Sequence, residues 1–592
     1  SRKTWSFFEK FVGAEDHWLP PDNFQESPVP TVAHRTSPTN IGLSLLANLS
    51  AYDMGYIPAA QLLERSAMTF ATLGSLDRYQ GHFFNWYDTL TLKPLSPLYV
   101  STVDSGNLVA HVLTLEPGIA ALADQPVLAP RFFSGLINTL GVFIDHEKQA
   151  GLEDHERTKP AMALATNLLQ ELEALRVSPS ADLRATCTAL EQLDTKAARI
   201  REAVTGSAES QAVLWANALV QHCHTALDDL IYMVPWIRLA DVPNDLNALP
   251  WNTLPTLREL ASLDPESLSA LEKTGEPARR WLQEAVPLVR EGIDRARTRI
   301  AEIARLTRLC GDFAHVEYGF LYDEGRHLMS IGYNVSNHRR DASYYDLLAS
   351  EARLASFVAI AQGQIPQDNW FSLGRQLTHS SAGPTLLSWD GSMFEYLMPL
   401  LVMPTYANTL LDESYKAAVE RQIEYGASRN VPWGISESGY NAVDVHMNYQ
   451  YRAFGVPGLG LKRGLAEDTV IAPYATGLAL LVDPQAACAN LQRLSAAAFE
   501  DSYGFYEAID YTASRVPRGQ PNAIVRSHMA HHQGMILLAL AHVLADRPMQ
   551  RRFESVPIFQ ATTLLLHEKV PKAKALYSSP EELPEARRIA ID

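Results

Sequence analysis

Cysteine is scarce in this 592-residue chain. Cys187, Cys223, Cys310 and Cys488 lie far apart, with no CxxC and no metal-ligand spacing. That usage suits a reducing compartment or simple core packing. Positive charge is in deficit too, with 50 Lys and Arg against 67 Asp and Glu, a net charge of −17. Without a Lys/Arg block to follow a phosphate track, nucleic acid is not an expected partner. No uninterrupted apolar run reaches the ~18 residues of a membrane helix. The longest candidate, 535–545, is shorter and follows histidines. No basic-then-apolar segment opens the chain, so the expectation is a chain with no membrane span and no export signal of its own. There is no GxSxG elbow, and GVPGLGLKRG (455–464) lacks the strand-then-helix setting of a phosphate loop. HMAHHQG (528–534) puts His528 and His532 one helical turn apart, but residue 529 is Met where a zinc motif needs Glu. No metal and no cofactor is expected.

What the chain does have is helix, in a repeating form. Six apolar segments, each with a polar and aromatic N-terminal mouth, start near 36–49, 101–115, 343–357, 389–403, 469–482 and 527–544. Amphipathic segments at 58–76, 412–430 and 483–499 lie between several of them. A helix that is apolar nearly all round is buried on every side. Six such helices with half-exposed ones between them predict an all-α double ring, an (α/α)6 barrel, whose inner-helix mouths converge on one face. The pattern is interrupted at 151–310 by charge-rich helical segments, read as a helical insertion: a projecting hairpin, or a satellite layer on the barrel. The barrel is then divided into 1–150 and 311–592. Pro287 should kink or restart the helix carrying Leu282, Val289 and Ile293. FLYDEGRHLMSIGYNV (320–335) reads as a small β-hairpin turning at 323–326.

The mouths carry groups that suit sugars. Tyr344, Tyr345, Asp346 and Glu351 open the third inner segment, and are expected in its first helical turns. RYQGHFFNWYDTLTLKPL (78–95) supplies Trp86 and Tyr87, SWDGSMFEYLMP (388–399) supplies Trp389, Asp390 and Glu395, PWGISESGYNAVD (432–444) supplies Glu437 and Tyr440, and YGFYEAIDYT (503–512) supplies Glu507 and Tyr511. Aromatic faces cover pyranose rings, while carboxylates, amides and Arg take hydroxyls. Glycosidic chemistry needs two carboxyls, one protonating the leaving oxygen and one acting as nucleophile or base. The candidates are Glu351, Glu437, Glu507, Glu395, Asp390 and Asp104. Glu437 stands out because Gly434, Ser436, Ser438 and Gly439 let its backbone approach a ligand. Glu395, inside an apolar helix, reads better as a buried structural acid.

The runs WLPPDNFQE, AHRTSPTNIGL, GHFFNWYDT, VDSGNL, SYYDLLASEARLASFVAIAQG, SWDGSMFEYLMP, RQIEYGASRNVPWGISESGYN, FGVPGLGLKRGL, YGFYEAIDYT and MAHHQGM resemble the central glycoamylase-like domain of bacterial cyclic β-1,2-glucan synthases. The resemblance runs from about residue 5 to 562 and is weakest across 150–310. It implies an anomer-retaining transglycosylase acting on linear β-1,2-glucan, with Glu437 as nucleophile and Glu351 as acid/base. It also implies glycosyltransferase and phosphorylase-like domains as partners, and a place at the cytoplasmic face of the inner membrane through the parent synthase. Substrate-binding candidates are Arg35, Trp86, Tyr87, Asp104, Asn107, Trp389, Asp390, Tyr440, Glu507, Tyr511, His531 and Gln533. The alternatives are an inverting endo-β-1,2-glucanase on the same fold and a non-catalytic glucan-binding module.

Overall fold

A computed structural model describes the chain except for residues 152–154, 208–209, 240–251, 265–275, 381–382 and 571–592. The six apolar segments form the inner helices α1 (Pro38–Asp53), α2 (Thr102–Ala120), α3 (Arg353–Ala361), α4 (Met393–Leu397), α5 (Pro473–Ala479) and α6 (Ala530–Leu544). Every residue of α1 is buried, as an all-round apolar helix requires. α1 packs on α2, α2 on α3, α4 on α5, α5 on α6, and α6 back on α1. Gly106 lets α2 and α3 touch, since a Cβ there would lie 2.5 Å from the Ala355 Cα. Arg353 closes the ring between α3 and α4: its buried guanidinium donates to the carbonyls of Glu395 (2.8 Å) and Tyr396. Outside, helices Ala59–Ser75, Glu276–Ala314, Leu410–Ser428, Pro484–Ala496 and Arg2–Phe11 back α1, α2, α4, α5 and α6 respectively. The fold is an (α/α)6 barrel.

Three inner helices are shorter than the sequence predicts, each for a local reason. Tyr344–Tyr345 pairs as a strand with Met329–Ser330, so Glu351 stands on the turn leading into α3 instead of in its first turns. α4 gives way at Met398 to a 3-10 turn, where Pro399 has no amide to continue the ladder. Val470–Ile471 pairs with Ile509–Asp510, and α5 starts only at Pro473. The 320–335 hairpin forms, with Tyr322–Asp323 against Leu328–Met329 and the Asp323 side chain accepting from the Gly325 and Arg326 amides.

Helices Arg131–Gly151, His155–Val177, Leu183–Ala203 and Gln211–Met233 pack into one layer, which meets the barrel through Arg2–Phe11 and Glu276–Ala314. The Glu276–Ala314 helix runs through Pro287 without the restart the sequence predicts. Pro287 and Gln283, whose carbonyl loses its partner, are both exposed, so solvent takes up that acceptor. Thr102–Asp124 is long and apolar enough to cross a membrane, but 78% of its most apolar stretch is buried inside the barrel.

Candidate active site

The mouths of the inner helices converge on a cavity of about 360 Å³. α1 contributes Thr39 and Asn40, α2 Asp104 and Asn107, α4 Phe394 and α6 His531, while Glu351, Glu437, Tyr345 and Tyr451 come from the segments between. Side-chain caps hold the mouths open to the cleft. Ser37 accepts from the Asn40 amide, Ser101 from Asp104, and Ser392 from Glu395. A second cavity of about 610 Å³ adjoins the first through the shared walls Arg35, Tyr451 and Met529.

Glu437 sits on a braced segment. Gln422 clamps Ile435 by donating to its carbonyl and accepting from its amide, both at 2.8 Å. Ser436 Oγ accepts from the Phe394 amide (3.0 Å), and the Tyr474 hydroxyl donates to the Glu437 carbonyl (2.9 Å). Gly434 has φ +120°, and a Cβ there would meet Thr476 Oγ1 at 2.8 Å, so only glycine serves. The following strand, Ser438–Val443, pairs with Tyr449–Arg452 and sets Tyr451 opposite Gly439, from where the Tyr451 hydroxyl faces the Glu437 carboxyl and favours its ionised form. Gln25 ties down the tip of this hairpin, donating to the Met447 carbonyl (2.9 Å) and accepting from the Tyr449 amide (3.0 Å). Its own strand, Asn23–Gln25, pairs with Ser527–Met529 just before α6.

The cavity strongly favours protonated carboxyls. Burial first, and then the charges of Glu351 and Glu395, push Glu437 from 4.5 up to about 8. Glu351 is raised to about 7, by burial first and then by Glu395, against small opposing contributions from Ser350 and Arg353. Two carboxyls that repel each other in one pocket titrate as a pair and hold a shared proton. Glu395 is the structural acid its position suggested: it closes the Ser392 capping box and accepts from the amides of Trp389 (2.9 Å) and Asp390 (3.1 Å).

The other sequence candidates divide. Arg35, Trp86, Asp104, Asn107 and His531 line the cavity. Arg35 lies over the Trp86 ring (5.1 Å) and pairs with buried Asp22 (2.9 Å). Asp104 accepts from Thr39 Oγ1 (2.6 Å), and burial raises its pKa. Glu507 lines the adjoining cavity. It accepts from the Gly439 amide (3.0 Å) and pairs with His532 Nδ1 (2.9 Å), and burial raises it to about 7.

Tyr87, by contrast, is core, with no exposed surface. Its hydroxyl accepts from the Phe84 amide and donates to the Asp77 carbonyl. Trp86 and Tyr87 are neighbours on extended chain and face opposite sides, so only one reaches the cleft. Gln533 is 2% exposed and donates to the Phe505 carbonyl, so it holds α6 in place and lines neither cavity. Tyr511 packs against the core, and Tyr440 packs between Phe454 and the Arg452 and Arg515 guanidiniums; neither lines these cavities. Trp389 is 48% exposed and donates to Asp346, while Asp390 pairs with Lys462; both lie outside the cavity wall. Sequence reasoning missed Tyr451, Asp22 and Met529. Tyr451 comes to Glu437 only through hairpin register, which a single strand does not disclose.

Residues 343–557, a span that holds the Tyr344–Tyr345 strand, Glu351, Glu437 and Glu507, match the glycoamylase family model. Along 601 aligned residues the chain is 35% identical to a cyclic β-(1,2)-glucan synthase of Rhizobium meliloti. That alignment covers 99% of this chain and 19% of the relative, so the chain spans about one fifth of that protein's length. Among solved structures, the endo-β-1,2-glucanase of Chitinophaga pinensis with sophorotriose and glucose superposes with a TM-score of 0.53 at 12% identity, covering 96% of both chains. A mutant endo-β-1,2-glucanase of Talaromyces funiculosus with β-1,2-glucan gives 0.51 at 9% identity, covering 97% of this chain and 94% of that one. Both share the barrel with this chain. The family match falls on the segments that carry all three raised cleft glutamates, and residues 343–557 are accordingly a glycoamylase-like domain.

Proposed function

We propose that the chain is an anomer-retaining β-1,2-glucan transglycosylase with Glu437 as nucleophile and Glu351 as acid/base. The observation that carries this reading is the convergence of these two carboxyls on one cavity that raises both. The substrate class rests on similarity to part of a cyclic β-(1,2)-glucan synthase. In the first step Glu437 attacks C1 of the donor sugar while Glu351 gives its proton to the departing glucan oxygen. In the second, a glucan 2-OH gives its proton to Glu351 and its oxygen takes C1 as the bond to Glu437 breaks. If that hydroxyl belongs to the far end of the same chain a ring closes; if it belongs to another chain, lengths are redistributed.

Burial raises both carboxyls, so both hold protons toward neutral pH. The reaction needs Glu351 protonated and Glu437 ionised, and the Tyr451 donor favours the ionised form of Glu437. Trp86 and Tyr345 offer ring faces, and Arg35, Asp104, Asn107 and His531 offer hydroxyl partners. Glycosyltransferase and phosphorylase-like domains of a larger synthase would supply and finish the glucan at the cytoplasmic face of the inner membrane.

The test is incubation with linear β-1,2-glucan, with linear and cyclic products separated and reducing ends counted. Rings or redistributed lengths without new reducing ends are expected. A steady rise in reducing ends, released as the α-anomer, would overturn the reading in favour of an inverting glucanase.

A further inference from the structure

Glu437 is the end of a row of polar groups that leads away from the cleft. The Tyr451 hydroxyl faces its carboxyl and favours the ionised form. That hydroxyl lies 3.5 Å from His532 Nε2, at the long end of hydrogen-bonding distance. The other ring nitrogen, Nδ1, lies 2.9 Å from Glu507 Oε2 and 3.1 Å from Oε1. The imidazole is held flat against the Tyr474 ring, with centroids 3.6 Å apart and planes 10° from parallel. Tyr474 in turn donates to the Glu437 carbonyl, so both ends of the row are fixed to one frame. His532 and Glu507 are both nearly fully buried.

We propose that Glu507, acting through His532 and Tyr451, is a positioning residue that takes the proton from Glu437 and leaves it ionised for attack. This rests on the reading of Glu437 as the nucleophile.

Two proton arrangements satisfy the row. In the first, Glu437 is protonated and donates to the Tyr451 oxygen, Tyr451 donates to bare Nε2, and Nδ1–H donates to the Glu507 carboxylate. In the second, Glu507 is protonated and donates to Nδ1, Nε2–H donates to the Tyr451 oxygen, and Tyr451 donates to the Glu437 carboxylate. Passing from one to the other breaks O–H at Glu437, O–H at Tyr451 and N–H at Nδ1. It makes O–H at Tyr451, N–H at Nε2 and O–H at Glu507. One proton moves from Glu437 to Glu507, and the net charge of the buried cluster is unchanged, which avoids isolating a new charge there.

The groups around each end fit that exchange. Glu507 faces the Gly439 amide, His528, His531 and His532. Glu437 faces Glu351, Glu395, Asp390 and Tyr451. Tyr451 faces Glu437, Tyr474 and Glu507. Burial holds both end carboxyls near neutrality, at about 8 for Glu437 and about 7 for Glu507, so the proton moves between comparable sites. The neutral imidazole between them is favoured because burial drives His532 well below its ordinary value.

The experiment is a set of pH profiles for kcat with linear β-1,2-glucan, in the wild type, Glu507→Gln, Tyr451→Phe and the double variant. A glutamine at 507 keeps the shape and the contact with Nδ1 but cannot take the proton, which then stays on Glu437. The acid limb should move up by about one pH unit in Glu507→Gln. In Tyr451→Phe it should move up, with kcat lower by about tenfold or more, because the donor to Glu437 is gone. In the double variant the Glu507→Gln shift should vanish, since the path runs through Tyr451. The same shift in both backgrounds would overturn the proposal, as would a lower melting temperature with an unmoved limb. Glu437→Gln is run alongside. If it still transfers, the nucleophile reading itself fails and this proposal with it; if it is dead and the double-variant shift persists, only this proposal fails.

Discussion

Glu437→Gln should stabilise the protein while abolishing transfer, and the gain should grow with pH. The carboxyl titrates at about 8 in the folded cleft against an ordinary value of 4.5. Because the folded value is raised, the folded chain binds the extra proton. Its stability therefore falls as pH climbs from 4.5 to 8, and levels off above that. Each pH unit in that window is worth about 1.4 kcal/mol, which sets a ceiling of about 5 kcal/mol. Glu437 keeps part of its surface in the cleft, and screening by water there brings the expected effect down to about 2 kcal/mol. An amide at 437 keeps the shape, still accepts from Tyr451, and carries no charge to bury. Denaturant unfolding of both proteins at pH 5 and pH 9 measures the effect. At pH 5 the two should agree within about 0.5 kcal/mol; at pH 9 the Gln variant should be more stable by about 2 kcal/mol. An equal gap at both pH values would refute the reasoning, because it would show Glu437 fully hydrated in the free enzyme.

Glu437→Ala supplied with azide should turn a β-linked glucan donor into an α-glycosyl azide, visible by NMR; formation of the β-azide would move the nucleophile elsewhere, most directly to Glu507. Trp86→Ala should weaken binding of linear glucan by about 10- to 100-fold in calorimetry with little change in melting temperature, and an unchanged Kd would remove Trp86 from the sugar path. Tyr87→Phe should do the reverse, costing about 1–2 kcal/mol of stability by orphaning the Phe84 amide and Asp77 carbonyl while KM stays put.

The barrel was legible because its signal is compositional and long. α1, α2 and α6 each run fifteen or more residues with apolar side chains distributed all round the helix, and burial on all sides follows from that. The shorter inner helices were legible as segments and not as lengths. Tyr344–Tyr345 and Val470–Ile471 become strands only because Met329–Ser330 and Ile509–Asp510 come alongside from distant parts of the chain. The carboxyls were legible from residue type and from the glycines around Glu437. Their partners were less so. Tyr451 reads as one more aromatic on an exposed strand until pairing sets it opposite Gly439. Trp86 and Tyr87 look equivalent in sequence, yet strand alternation sends one to the cleft and the other to the core.

The tether made by Gln25 bears on when the Glu437 hairpin is secured during synthesis. That residue holds the Glu437 hairpin from 422 positions away, and its own strand is held by Ser527–Met529, near the other end of the barrel. Contacts of such long sequence separation form late, because the intervening chain must be ordered first. A nascent chain that has already made Glu351 and Glu437 still lacks the α6 segment that fixes residues 23–25 beneath the hairpin. The tip of the Glu437 hairpin then lacks its Gln25 tether, while Gln422 and Tyr474 already brace Glu437 itself. A nick that separates residues 23–25 from the barrel therefore frees the hairpin tip that sets Tyr451 opposite Gly439.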